Sequence, residues 1–210
     1  MCNNDYTLIT KEISNLVSEK NIVIWKSEMD GLGTSLSDID AYCICDEEKN
    51  FKNFSFNGIP VDIEYIGLNN LKEKLENIDK FAKHGLAYKG LDEDLKLFYR
   101  LERGHKSQQF NLNDIELPTI DVISKIAAQY YNELFLALYE DAFKMFHGKN
   151  FLDAFILSLE ALQMSVATYL ARIGKPQFKK KWLFKYFDNL TDCSYYEELR
   201  IELLSLIHIS

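Results

Sequence analysis

The chain has 210 residues, of which 47% are hydrophobic and 27% are charged, so it can bury a sizeable core in one large or two small domains. Its net charge of −8 argues against general nucleic-acid binding, because phosphate backbones are bound by a surplus of basic residues. The sequence shows neither a membrane-length apolar run nor a secretory signal, which predicts a cytoplasmic protein without a membrane partner.

The first elements in chain order are a helix, a strand, a glycine-bearing loop and a second strand. Apolar residues at helical spacing predict a helix that ends before Lys20, and the run 22–25 predicts a strand. Asp38 and Asp40 then open a second strand, 39–45, from the same face, because side chains alternate with period 2 along a strand. Two neighbouring carboxylates repel each other, and a hard divalent cation between them removes that repulsion.

A second acidic strand follows. Asn57-Gly58 predicts the tight turn of a hairpin, and Asp62 and Glu64 share one face of its second strand. Carboxylates that converge from neighbouring strands are what two-metal phosphoryl chemistry requires. Glu64 is a second candidate for the third carboxylate or for a general base; the alternative is a solvated strand residue. With a charged helix predicted through Lys83, these elements predict an α+β domain with a small mixed or antiparallel sheet.

From Pro118 onward the sequence pattern predicts helices and no strands. Long helices are predicted over 120–146 and 151–173, followed by shorter ones over 178–187 and 195–206. They predict an all-α bundle with the second helix at its centre. We therefore expect two domains, residues 1–110 and residues 111–210. The helical pattern breaks off at the last residues without a stop signal, which suggests a truncated C-terminus.

The loop and its acidic strands resemble the signature of the polymerase-β-type nucleotidyltransferases, especially the small bacterial two-domain members that modify antibiotics or act as minimal transferase modules. That signature is a strand, Gly-Ser, a glycine-containing loop, and (Ser/Thr)-Asp-hydrophobic-Asp opening the next strand. The matching positions are Ser27, Gly31, Ser37, Asp38, Asp40 and Asp62. Lys26 departs from the pattern, since it stands where the family has glycine, and a lysine could offer charge to a phosphate instead. The resemblance covers residues 20–66.

The resemblance implies an enzyme of the EC 2.7.7 type, with antibiotic resistance as a possible setting. It would transfer a nucleoside monophosphate, AMP from ATP, to a hydroxyl of a small molecule. It would use two Mg²⁺ ions, one held by Asp38 and Asp40 and one by Asp40 and Asp62. Ser27 and the backbone of the loop from Gly31 to Ser35 would contact the β- and γ-phosphates of the nucleoside triphosphate. Ser37 is a further donor for the nucleotide, and the alternative is a hydroxyl that only forms the turn.

A basic segment in the helical half is the second region of chemical interest. It loosely resembles the Lys-Trp segments of some two-domain small-molecule nucleotidyltransferases, and Lys181, beside Trp182, is its first candidate for a phosphate contact. The alternative is a solvated helix face. Glu160, on the most apolar predicted helix, is a weaker candidate base because a carboxylate on such a helix is expected to be buried.

Two other functions stay open. One is a minimal nucleotidyltransferase antitoxin or protein-AMPylating module that acts on a partner protein, and the fused helical half favours the small-molecule enzyme over it. The other is a degenerate module that binds a nucleotide without chemistry, which the intact carboxylates Asp38, Asp40 and Asp62 argue against. Arg100 and His105 have the Arg-x4-His spacing of HEPN ribonucleases, but they precede the helical half, and we interpret the spacing as chance.

Overall fold

The computed structural model describes residues 3–34, 37–47, 49–50, 52–85, 87–112 and 115–190. The chain divides into two compact units on either side of the Ala127–Ala128 bond. The predicted helix over 195–206 lies outside the described residues.

The first unit contains a mixed five-stranded sheet. Its strands are β1 Asn21–Trp25, β2 Ile39–Cys45, β3 Lys52–Phe56, β4 Ile59–Gly67 and β5 His105–Lys106. Its helices are α1 Asn3–Val17, α2 Leu68–His84 and α3 Leu91–Arg103. The strand order is β3-β4-β2-β1-β5, in which β2 and β4 are parallel and the other neighbours antiparallel. The prediction of an α+β fold with a small mixed sheet is confirmed.

One face of the sheet forms the main hydrophobic core with α1. Ile9 and Ile13 of α1 are fully buried against alternate residues of β1, β2 and β4. Cys43 and Cys45 lie in this core, on the opposite face of β2 from Asp40, because side chains alternate along a strand. Burial raises the pKa of the Cys43 thiol to about 12, which favours the protonated thiol at neutral pH.

The β3–β4 hairpin turns at Asn57-Gly58, as predicted. Both residues adopt the left-handed conformation, with φ of 50° and 79°, which matches the twist of a tight hairpin. The parallel ladder between β2 and β4 begins at the pair Ile39 and Val61. Pro60 therefore precedes that ladder, where its missing N–H removes no bond to β2.

The other face of the sheet is covered by α2 and α3. α2 contacts β4, and α3 contacts β1 and α2. No helix is predicted over 91–103 from the sequence, although Leu91, Leu95 and Phe98 are spaced for one and are fully buried. α3 is the main element that the sequence analysis misses, and it supplies two residues of the candidate site.

The described part of the second unit is helical. α4 (Ile120–His147) begins in the first unit and continues into the second, followed by α5 (Phe151–Arg172), a 3₁₀ turn at Lys180–Trp182 and α6 (Leu183–Leu190). α4 and α5 match their predicted ranges, whereas α6 begins five residues after the predicted start at 178. Because α4 crosses the division, a separate all-α domain that begins at residue 111 stays a prediction.

α5 is more exposed than its composition predicts. Leu152, near its N-terminus, is 71% exposed, while Val166 and Leu170 in its second half are buried. Glu160 is exposed, so its interpretation as a buried carboxylate is wrong. α5 is long and apolar enough to cross a membrane, but 44% of its most apolar window is buried and a core helix of a soluble protein has the same composition.

Candidate acidic site on the inner strands of the sheet

Asp40 and Asp62 face each other across two neighbouring parallel strands. They are partners in the β2–β4 register, Asp40 as the second residue of β2 and Asp62 as the fourth residue of β4. Asp40 is also the register partner of Trp25, the last residue of β1. Side chains of register partners project from the same face, so the two carboxylates lie side by side on one face of the inner strands β2 and β4.

Asp38 completes an acidic cluster, which we define as Asp38, Asp40 and Asp62. Asp38 is exposed and lies two residues before Asp40. Desolvation raises the pKa of the Asp62 carboxyl, and the negative charges of Asp38 and then Asp40 raise it further. The three carboxylates are therefore close enough to repel one another.

The donor set of the acidic cluster fits a hard divalent cation. Its oxygens are carboxylate oxygens that water reaches, and their mutual repulsion is what a bound cation relieves. Among the described residues, however, no three His, Cys, Asp or Glu side chains are close enough together to hold one metal ion as they stand. Holding an ion would therefore require the exposed Asp38 and the half-buried Asp40 and Asp62 to turn toward one another.

Glu64 lies one step along the same face of β4 and has different surroundings. Its register partner is Tyr42, not Asp40. Although the residue as a whole is exposed, desolvation of its carboxylate raises its pKa, and the charges of Arg100, Lys74 and Lys96 partly offset this effect. Asp62, and not Glu64, is the residue opposite Asp40.

Arg100 of α3 is the buried cation of the site. Only 5% exposed, it donates a hydrogen bond to the Tyr42 hydroxyl, and its Nη1 lies 3.4 Å from Oδ2 of Asp40. The guanidinium carbon lies 4.3 Å from the centre of the Trp25 ring, a cation–π contact. The sequence analysis interprets Arg100 only as part of a chance Arg-x4-His spacing. The signal that would have revealed it is the missed amphipathic pattern of α3, which turns Arg100 toward the sheet.

Arg100 and His105 do not form a joint site. His105 lies on β5 as the partner of Ile24, whose side chain belongs to the α1 face of the sheet. Its ring stacks on Tyr6 of α1, with ring centres 5.9 Å apart. Arg100 contacts the opposite face, so the interpretation of their spacing as chance agrees with the structure.

The loop between β1 and β2 is folded beside the acidic cluster. It starts with a short 3₁₀ turn, Ser27–Asp30, which Gly31 ends at φ 73°, a conformation that favours glycine. The Ser27 side chain is buried, and the Ser37 hydroxyl accepts a hydrogen bond from the Thr34 N–H at 2.9 Å. Ser37 thus helps to close the loop. Ser35 lies outside the described residues.

Lys26 does not offer its charge to a ligand. Its side chain is fully buried, and its Nζ lies 3.3 Å from the Glu28 carboxylate. The expectation that Lys26 could stand in for a phosphate-binding glycine is therefore wrong, because the ammonium is removed from solvent and already paired.

α3 holds the loop as well as the strands. The hydroxyl of Tyr99, the residue before Arg100, donates a hydrogen bond of 2.8 Å to Asp30 at the end of the 3₁₀ turn. Adjacent residues of one helix thus hold the glycine loop and Asp40.

Lys181 lies in the second unit. It is exposed, and its Nζ is 5.4 Å from the centre of the Trp182 ring. A phosphate contact for Lys181 stays a prediction.

No protein-family model matches the chain, and no curated protein does. Among solved structures, the chain is similar to a nucleotidyltransferase-like protein from Exiguobacterium sibiricum 255-15, with a TM-score of 0.44 and 15% identity over 97% of this chain and 73% of that chain. A similarity at this level does not assign the chain to a family.

Proposed function

We propose that this chain is a metal-dependent nucleotidyltransferase that transfers a nucleoside monophosphate, AMP from ATP, to a hydroxyl of a small molecule. The observation that carries the proposal is the register of Asp40 with Asp62, together with the repulsion that Asp38 and Asp40 exert on the Asp62 carboxylate. Such crowding costs free energy unless a cation is bound, and it occurs beside a glycine loop of the matching signature.

The acidic cluster would hold Mg²⁺. Carboxylate oxygens are the ligands that Mg²⁺ prefers, and bound Mg²⁺ supplies positive charge to the phosphate oxygens and the attacking oxygen. The three carboxylates could be shared between two ions, with Asp40 common to both.

In the proposed reaction the acceptor oxygen forms a bond to the α-phosphorus of the triphosphate. The bond between the α-phosphorus and the bridging oxygen breaks, and pyrophosphate leaves with its electrons. The hydroxyl proton passes to a base, for which Glu64 is our candidate because its raised pKa favours proton uptake over that of an ordinary carboxylate. Ser27, Gly31 and Ser37 would position the phosphates, and Lys181 would offset the charge of the leaving group.

The proposal is tested with the four nucleoside triphosphates, each labelled at the α-phosphate, in Mg²⁺ and against a panel of hydroxyl acceptors that includes aminoglycosides and lincosamides. We expect the label on one class of acceptor and an equal amount of pyrophosphate. Asp62→Asn should abolish this transfer, whereas Asp79→Asn, which removes an exposed carboxylate from α2, should retain it.

Two outcomes contradict the proposal. One is transfer by Asp62→Asn at the wild-type rate. The other is a wild-type protein that neither transfers label nor binds any of the four nucleotides in the presence of Mg²⁺.

A further inference from the structure

We propose that Arg100 is an internal counter-cation that pairs with Asp40 in the metal-free protein and thereby lowers the affinity of the acidic cluster for a divalent cation. The inference rests on the proposed function, because it assumes that Asp40 also binds the cation. It assigns Arg100 a role that the sequence signature does not contain.

The first argument is that the guanidinium is fixed in place. It is buried, it contacts the Trp25 ring at 4.3 Å, and it donates to the Tyr42 hydroxyl. These partners hold it independently of Asp40. An arginine held at several points loses little further freedom when it pairs with a carboxylate, so the pair with Asp40 is favourable before any cation arrives.

The second argument is charge balance on this face of the sheet. Asp40, Asp62 and Glu64 are carboxylates on neighbouring strands, and Asp38 directly precedes β2. The other cations near Glu64 have acidic partners on the helices: Lys74 Nζ lies 2.5 Å from Asp94, and Lys96 pairs with Glu93. The buried charge of Arg100, in contrast, pairs with the acidic cluster itself.

The consequence is competition at Asp40. A divalent cation that binds Asp40 must share this carboxylate with a guanidinium only 3.4 Å from Oδ2, and two cations a few ångströms apart repel each other even in a well-screened site. At the dielectric constant of water, a double charge about 6 Å from a single charge of the same sign loses about tenfold in affinity. We therefore expect removal of the Arg100 charge to strengthen cation binding about tenfold, and not to weaken it.

The test is a titration of the metal-free full chain with Mn²⁺, in which free Mn²⁺ is measured by electron paramagnetic resonance. Wild type is compared with Arg100→Gln, with Arg100→Lys, and with the control Arg103→Gln, which removes an exposed charge from the same helix. Arg100→Gln should bind Mn²⁺ about tenfold more tightly and melt at a lower temperature without metal. The Mn²⁺ affinity of Arg100→Lys should lie between those of wild type and Arg100→Gln, because an ammonium cannot contact Asp40, Tyr42 and Trp25 together. Arg103→Gln should match wild type.

Equal or weaker Mn²⁺ binding by both Arg100 variants would overturn the inference; if Arg100→Gln does not fold, Arg100→Lys decides. An Asp40→Asn arm separates this result from failure of the proposed function. If wild type shows no Mn²⁺ binding that Asp40→Asn removes, then the proposed metal site itself is refuted. If that binding exists and the Arg100 variants leave it unchanged, only the role of Arg100 is refuted.

Discussion

At the scale of single residues, Asp40 and Asp62 are register partners with opposite electrostatic surroundings. Asp62 is destabilised by desolvation and by two neighbouring negative charges, whereas Asp40 is paired with the buried Arg100. The period-2 pattern predicts that both carboxylates project from one face. It does not predict their different surroundings, because Arg100 is brought to Asp40 by a helix distant in sequence.

Asp62→Asn should stabilise the metal-free protein at neutral pH. The folded-state pKa of Asp62 is raised, so the folded protein holds this proton more tightly than the unfolded chain, and stability is lost as pH rises through the folded pKa. The variant has no such loss. Its advantage in melting temperature should be present at pH 7 and vanish as pH falls below the ordinary aspartate pKa of about 3.9. Thermal unfolding of both proteins across pH measures it. A variant less stable than wild type at pH 7 would contradict this account of Asp62.

Asp40→Asn should have the opposite effect on stability. From the sequence alone we expect this substitution to abolish turnover and to leave the fold intact or slightly stabilised, through relief of repulsion. The structure reverses the stability part, because the variant leaves the buried Arg100 without its carboxylate. We expect a loss of about 1–2 kcal/mol of unfolding free energy, measured by urea denaturation of the metal-free protein. A gain in stability would show that the ion pair contributes less than the repulsion.

At the scale of elements, strands with clear local signals are predicted well and α3 is missed. β2 matches its predicted range because a continuous apolar run follows the acidic pair, and the Asn57-Gly58 turn fixes the hairpin. α4 and α5 are predicted because each is long and lacks glycine and proline. α3 is short and rich in charge, so its apolar stripe can be recognised as a buried face only from its packing on β1. The acidic cluster could therefore be predicted from the sequence, whereas its pairing with Arg100 could not.

Gly104→Ala tests whether close packing of α3 on β1 supports the site. Gly104 ends α3, and a Cβ there would lie 2.5 Å from Cγ1 of Val23 and 2.7 Å from the carbonyl oxygen of Ile24. Relief of these contacts requires the end of α3, and with it Arg100, to move away from the sheet. We expect a loss of about 2–3 kcal/mol in denaturant unfolding.

Gly148→Ala is the matched control, since the nearest atom to its added Cβ is at 3.4 Å. It should change stability by less than about 0.5 kcal/mol. If the two substitutions were equally mild, the contact between α3 and β1 would be looser than the structure indicates.

At the scale of the whole molecule, the acidic cluster, Arg100 and the glycine loop all belong to the first compact unit. The sequence predicts the order of the structural elements along the chain, which is a mixed sheet with its helices followed by further helices. The predicted domain boundary between residues 110 and 111 stays a prediction, and the compact units divide at Ala127–Ala128, within the continuous helix α4. Lys181, by contrast, lies in the second unit, so its proposed part in catalysis needs a test of its own.

The central claim is that Asp38, Asp40 and Asp62 bind the catalytic cation, and anomalous diffraction from crystals grown with Mn²⁺ and a non-hydrolysable ATP analogue tests it most directly. Hard oxygen ligands that bind Mg²⁺ also accept Mn²⁺, whose anomalous signal identifies it. We predict a Mn²⁺ peak bounded by the Asp40 and Asp62 carboxylates, with the triphosphate of the analogue beside it. Ordered Mn²⁺ and nucleotide bound elsewhere, with Asp40 still paired only with Arg100, would contradict the account.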